Sequence, residues 1–244
     1  MVTSYLFKLA RLIIIYTYIT TCFANITIYS VNLKQLNFYK YSAILPIVTD
    51  YNSNKWVYFT LDIHNKKTVI DIFGGIIENK DKSVFSAGIR ELNEESLDIF
   101  KNNISDKNSF KKLASIDYKA FRTKLFIVSI KDIKNNIRNN CDFFSKQYYI
   151  RRYKKPDHYK RLSLAQTETI GIRKVKLNDL INYSENPNKF PNGITTYYSN
   201  LTSCNLKSKE NFRFEAGILL SFASLRDALL DYENSGIKNT NKLK

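Results

Sequence analysis

Hydrophobic and polar positions follow different rhythms in successive stretches of the chain. Tyr41–Val48 and Trp56–Leu61 are dense in β-branched and aromatic residues, the composition that suits a pleated strand. Between them lies Asp50-Tyr51-Asn52-Ser53-Asn54, whose short polar side chains bond to nearby backbone and favour a turn. Thr68–Phe73 is a further short apolar run that stops at Gly74-Gly75. From Ser83 to Asp98 the spacing of apolar residues becomes helical. Leu113–Tyr118 and Leu125–Ile130 read as an antiparallel pair joined near Arg122, and Thr169–Val175 as another strand. Leu177–Ile181 opens a short helix, 184–210 reads as loop, and Phe214–Tyr232 sets Leu219, Phe222, Leu225 and Leu229 at helical intervals. No internal repeat is present. Strands, a helix, more strands and a final helix predict an α/β (α+β) domain, a mixed sheet covered by helices on both faces.

Domain organisation follows from the same pattern. Lys8 and Arg11 precede the apolar run Leu12–Ile19, and Cys22-Phe23-Ala24 follows. Residues 1–24 therefore resemble a signal peptide or a short membrane anchor, although the run is shorter than the roughly 20 apolar residues of a spanning helix. A packed N-terminal helix or strand is the other reading. The cytoplasm is the favoured location, with secretion or membrane association implied if residues 1–24 act as a signal or anchor. The domain proper is expected over residues 36–235, with a polar, basic insertion at about 131–165 and a flexible tail at 236–244.

Composition adds a partner class. The chain is 44% hydrophobic and 14% aromatic, which supports a packed core and excludes wholesale disorder. Its formal charge of +16 attracts phosphates, whether on nucleotides, RNA or anionic lipid; lysine enrichment from base composition is the alternative source. Within the insertion, Lys146–Arg161 holds seven basic residues among Tyr148, Tyr149, Tyr153 and Tyr159, with Asp157 as its only acid. Arg151, Arg152, Lys154, Lys155 and Tyr153 are its candidates for a substrate or RNA contact, since cations and rings together suit phosphates and bases. The cysteines Cys22, Cys141 and Cys204 are odd in number and form no CxxC pair, so ordinary thiols without a disulfide are expected. His64 and His158 have no ligand spacing.

The chemistry concentrates on the helix at 83–98. At about 100° per residue, Glu91, Glu94 and Glu95 share one face. Phe85, Ile89 and Leu92 fall on another flank suited to packing on the sheet, while Ala87 and Gly88 leave the carboxylate face uncrowded. Like charges gathered on one face repel, and a hard divalent cation, Mg²⁺ or Mn²⁺, would relieve the repulsion. Arg90 projects near Glu94 and is placed to orient a carboxylate. Gly74-Gly75 ahead of the helix gives the backbone room to bring a carbonyl near such an ion.

Gly74-Gly75-Ile76-Ile77-Glu78, then Ala87-Gly88-Ile89-Arg90-Glu91-Leu92-Asn93-Glu94-Glu95-Ser96, resembles the Nudix box, G-x5-E-x7-R-E-U-x-E-E-x-G-U. The second half matches closely. Counting back from Arg90, the early Glu of the pattern falls on Lys82 because Asn79–Ser83 is one residue longer than usual, and Asp81 is the substitute beside it. The expected late Gly is Leu97, or Asp98 if the helix end is extended. The resemblance implies an α/β/α sandwich with a mixed sheet and a C-terminal helix. It also implies a diphosphohydrolase acting on phosphorus-containing anhydrides, with water attacking a phosphorus of a nucleotide derivative or a capped RNA 5′ end. Carried over by position, Glu91, Glu94 and Glu95 become Mg²⁺ or Mn²⁺ ligands or the base, Arg90 orients them, and the Gly75 carbonyl completes coordination. Glu168, before the Thr169–Val175 strand, is a further ligand or base candidate. The alternative is a Nudix-like module that binds nucleotide or RNA without hydrolysis, and a third reading is an exported scaffold.

Overall fold

The computed structural model describes residue 36 and residues 38–50, 52–106, 108–131, 141–153 and 169–235 in full, and residues 154 and 236–240 as backbone. Nine strands appear among the described residues: β1 (Tyr41–Thr49), β2 (Lys55–His64), β3 (Lys67–Asp71), β4 (Phe73–Ile76), β5 (Phe110–Tyr118), β6 (Thr123–Lys131), β7 (Thr169–Lys176), β8 (Ile194–Tyr198) and β9 (Leu206–Glu210). The helices are α1 (Val84–Glu95), α2 (Lys101–Ser105), α3 (Phe143–Tyr149), α4 (Leu177–Glu185), α5 (Phe214–Leu220) and α6 (Ala223–Thr240). A π turn at Ile150–Lys154 continues α3.

The sheet runs β5-β6-β1-β2-β7-β8-β9, with β1 and β6 parallel and the other strand pairs antiparallel. The mixed sheet expected from the strand pattern is present. Alternate residues of β1 enter two cores: Leu45 and Ile47 face α4, α5 and α6, while Ile44 and Val48 face α1 and α3. A strand buried on both faces needs apolar residues throughout, and β1 supplies them.

The local feature that positions the site is a split between β1 and β2. They pair only at Ile47–Thr49 with Lys55–Val57. Beyond that point β4 takes up the edge of β1, and β3 takes up the edge of β2. The insertion of β3 and β4 brings Gly74 and Gly75 opposite Ala43 and Ser42.

Several boundaries differ from the sequence pattern. The 184–210 stretch, expected as loop, contains the β8–β9 hairpin, with Ile194–Tyr198 paired to Leu206–Glu210. Its strands are only five residues each, too short for their alternation to stand out. The expected single helix 214–232 breaks at Ser221 and Phe222. Phe222 leaves the helical row and meets Tyr118 edge-on at 4.9 Å. The last helix continues to Thr240, past residue 235 where the sequence pattern ends the domain. Residues 1–24 lie outside the described residues. Among the described residues no helix is long and apolar enough to cross a membrane.

The cysteine expectation is corrected. Cys141 and Cys204 form a disulfide across 63 residues of sequence, tying the start of α3 to the β8–β9 loop. Neither residue type nor spacing signals the pair, because the sheet edge and α3 meet only in the folded chain. Beside it, Asp142 accepts from Tyr58 Oη at 2.6 Å and from Ser145 Oγ, and its backbone N–H donates to Ser199 Oγ at 2.9 Å. Closing a loop of this length restricts the unfolded chain. Reduction, or the Cys141→Ser substitution, is expected to lower unfolding stability by about 2–4 kcal/mol, read as a shift of the denaturant midpoint; an unchanged midpoint would show that the pair contributes nothing.

Candidate active site

Helix α1 begins at Ser83, whose Oγ accepts from the Ser86 backbone N–H at 3.0 Å while Ser86 Oγ accepts from the Ser83 N–H at 2.8 Å. This reciprocal cap satisfies two donors that a helix start leaves open. The face expected to be uncrowded is the one that meets the sheet. A Cβ on Gly88 would stand 2.7 Å from Ser42 Oγ and 2.9 Å from Ile44 Cδ1. Ala87 and Gly88 are therefore small because α1 lies close against β1, and Ser42 Oγ donates to the Val84 carbonyl at 2.6 Å across that contact. Phe85, Ile89 and Leu92 pack into the same core, as their spacing predicts.

The same close approach places the carboxylates. A Cβ on Gly75 would fall 2.5 Å from the Glu91 carboxylate, so any side chain there would push that carboxylate out of its present place. Glu91 is buried. Glu95 turns toward the neighbouring glycine and accepts the Gly74 backbone N–H at 3.1 Å.

Arg90 organises the other side. Its Nε and Nη2 donate to the two oxygens of Asp81, each at 3.1 Å. Nη2 also donates to the Ile76 carbonyl at 2.8 Å. Nη1 reaches Glu91 at 2.7 Å, Glu94 at 3.2 Å and Glu78 at 3.2 Å. Asp81, six positions after Gly75, thus stands where the box pattern has its early acid, and the additional residue relative to that pattern lies between Asp81 and Arg90. At the far end, the helix closes in a Schellman turn: the Asp98 N–H donates to Asn93 O at 2.7 Å and the Leu97 N–H to Glu94 O at 3.2 Å. Leu97, which stands where the box has glycine, adopts φ 54°. This left-handed backbone is costly for a branched side chain. Full burial of Leu97 in the core around α1 offsets that cost.

Two acids outside the motif complete the surroundings. Burial, then the charges of Asp62, Glu91 and Asp71, push the Glu95 carboxyl well above the ordinary range against the bond from Gly74. Burial also pushes Glu91 up, against the attraction of Arg90. Asp71 rises to about 6, again chiefly from burial and despite bonds from the Ile72 N–H and Arg213. Asp81 goes the other way: burial raises it, but the bonds from Arg90 and the Glu78 backbone outweigh burial and lower its pKa. Asp62 and Asp71 carry no local sequence signal; they become neighbours of the site through the antiparallel pairing of β2 with β3.

The other expected contacts separate. Arg151 donates to the Leu97 carbonyl and so braces the end of α1. Arg152 donates to Tyr148 Oη at 3.4 Å and sits 5.9 Å from the Tyr153 ring. Tyr153 is exposed and stacks on Tyr149 at 5.8 Å. Lys154 lies in the π turn, described as backbone only; Lys155 and Glu168 lie outside the described residues.

The donor set suits a hard divalent cation, because Glu91, Glu94, Glu95 and the Gly75 carbonyl all offer oxygen. Among the described residues no three acidic, His or Cys side chains already converge on one ion position; Arg90 holds Glu91 and Glu94 instead. Protonated Glu95 favours the folded state, and that contribution is lost as pH climbs through its raised value. In EDTA the melting temperature is expected to fall over that range, while Mn²⁺ bound to the folded chain should flatten or reverse the fall. Coincident curves with and without Mn²⁺ would argue against a cation at these carboxylates.

No protein-family model matches the sequence, and no curated protein matches it. Among solved structures, a MutT/nudix family protein from Enterococcus faecalis is similar at 11% identity and a TM-score of 0.37, covering 74% of this chain and 59% of that one. This chain thus spans less than two thirds of that protein's length. An Ap4A hydrolase from C. elegans is similar at 11% identity and a TM-score of 0.35, over 59% of this chain and 84% of that one. The NUDIX domain of Shewanella oneidensis NrtR, complexed with ADP ribose, is similar at 12% identity and a TM-score of 0.26, over 38% of this chain and 58% of that one.

Proposed function

We propose that this chain is a Nudix-type diphosphohydrolase that opens a phosphorus-containing anhydride in a nucleoside-diphosphate-linked substrate. The observation that carries the reading is the grouping of Glu91 and Glu94 on Arg90, with Glu91 against Gly75 and Glu95 on the Gly74 N–H. Such a cluster of like charges beside a glycine turn costs stability, a cost that a bound cation would relieve and that protonation of one member reduces.

Glu91, Glu94, Glu95 and the Gly75 carbonyl would hold Mg²⁺ or Mn²⁺. When bound, such an ion neutralises diphosphate charge and acidifies water. The protein's own part is positional. Asp81 fixes the guanidinium of Arg90 by a two-pronged bond, which in turn fixes Glu91 and Glu94. A carboxylate of the cluster with a raised pKa is suited to accept the proton of the attacking water at neutral pH. The nucleotide or RNA 5′ end would lie over these carboxylates, with Arg152, Tyr153 and Lys155 as candidate contacts and Glu168 as a further candidate ligand or base.

A hydrolysis screen with Mg²⁺ or Mn²⁺ tests the reading over nucleoside diphosphate sugars, dinucleoside polyphosphates, nucleoside triphosphates, NADH, ADP-ribose and capped RNA. Glu91→Gln, Glu94→Gln, Glu95→Gln and Gly75→Ala are each expected to reduce turnover by about 100-fold or more while the chain remains folded. Folded wild type that binds nucleotide and turns over none of these substrates would replace the enzyme with a binding module.

A further inference from the structure

At the other end of the sheet, a second group of residues is left unused by the hydrolytic reading. Strand register puts Trp56 opposite Lys176, Lys174 opposite Tyr197, Tyr197 opposite Lys207, and Thr195 opposite Lys209. Paired residues in neighbouring strands share a sheet face, so two rungs of alternating cations and rings lie side by side on β2, β7, β8 and β9. The rings and ammonium groups are in contact. Trp56 and Tyr197 meet edge-on at 5.1 Å. Lys174 Nζ lies 4.4 Å from the Trp56 ring centre, while Lys207 and Lys176 lie 5.4 and 5.8 Å from that of Tyr197.

Charge on this face is poorly compensated. Lys174 pairs with Asp142 at 3.6 Å, and the Trp56 indole N–H donates to Asp50 at 2.9 Å. Lys176, Lys207 and Lys209 are exposed, and among the described residues none of the three has a salt-bridge partner. Lysines on a terminal strand also discourage edge-to-edge aggregation, which accounts for Lys207 and Lys209. It does not account for Lys176 on the inner strand β7, nor for the two rings set between the cations.

We propose that this face, formed by Trp56, Lys174, Lys176, Tyr197, Lys207 and Lys209, binds single-stranded nucleic acid. Phosphates attract the exposed ammonium groups, and bases released from a duplex can rest on ring faces at the level of the sheet. A duplex keeps its bases stacked within and cannot use the rings. An acidic protein segment would use the lysines but has no regular need of the rings. Trp56 stands six residues from Asp62 along β2, roughly 20 Å at 3.4 Å per residue. The face is thus an exosite that a polymer reaches and a mononucleotide held at the carboxylates does not.

Fluorescence anisotropy of the full chain with a labelled oligouridine, the same sequence as DNA, a duplex of equal length and heparin tests the proposal across a salt series. Wild type should bind both single strands more tightly than the duplex. A triple variant carrying Lys176→Glu, Lys207→Glu and Lys209→Glu should lose tenfold or more in affinity and reduce the salt slope by about 2. Tyr197→Ala should cost about fivefold or more with little effect on heparin. Should Tyr197→Ala fail to fold, the triple variant alone decides, since its lysines are exposed. Unchanged single-strand binding and salt slope in the triple variant would overturn the proposal. So would tighter binding to the duplex, or equal losses for heparin and oligouridine in Tyr197→Ala. Hydrolysis of a small nucleotide should be unaffected by the lysine changes, so failure here and failure of the hydrolytic reading are separable.

Discussion

The two-pronged bond between Arg90 and Asp81 is the constraint on which the site depends. Glu78, Glu91 and Glu94 are drawn to one guanidinium nitrogen, and without a fixed cation their mutual repulsion would turn them toward solvent. Asp81 is buried and holds Arg90 by both oxygens, so the cation cannot rotate away. Bidentate charge-assisted bonds of this kind set direction as well as energy. The loop that carries Asp81 is one residue longer than the box prescribes, yet the bond forms, because a loop adjusts more readily than a helix packed on a strand.

That packing is the second layer of the same arrangement. Gly74, Gly75 and Gly88 each lack room for a Cβ, and the three tight contacts bring β1, β4 and α1 together at one corner. The split between β1 and β2 makes the corner possible, since β3 and β4 fill the gap and carry the glycines into it. Asp71 arrives on β3, Asp62 stands on the stretch of β2 that pairs with it, and both add negative charge around Glu95. The site is thus a concentration of acid that the fold enforces through backbone contacts.

The chain as a whole is strongly basic, with a formal charge of +16. The acidic corner offers oxygen donors of the kind a hard cation takes, and the exposed lysines elsewhere attract phosphates. Arg151 shows how the two regions meet, because it spends its charge on the Leu97 carbonyl at the end of α1. A residue chosen for phosphate by composition thereby becomes part of the support of the carboxylate helix.

What the sequence determined by itself is local. The period of Ser83–Asp98 set the helix and put Glu91, Glu94 and Glu95 on one side, and the β-branched runs gave the long strands and the mixed sheet between helices. These follow from backbone geometry within a few residues. The tertiary structure decided what joins distant positions: Asp81 as the partner of Arg90, Asp62 and Asp71 beside Glu95, and the Cys141–Cys204 bond across 63 residues. It also decided which side of α1 is crowded, since Ala87 and Gly88 are small for a contact with β1 that the helix alone does not reveal. Short strands such as β8 and β9 escaped for a related reason: five residues hold little periodicity, and pairing across the sheet, not their own pattern, makes them strands.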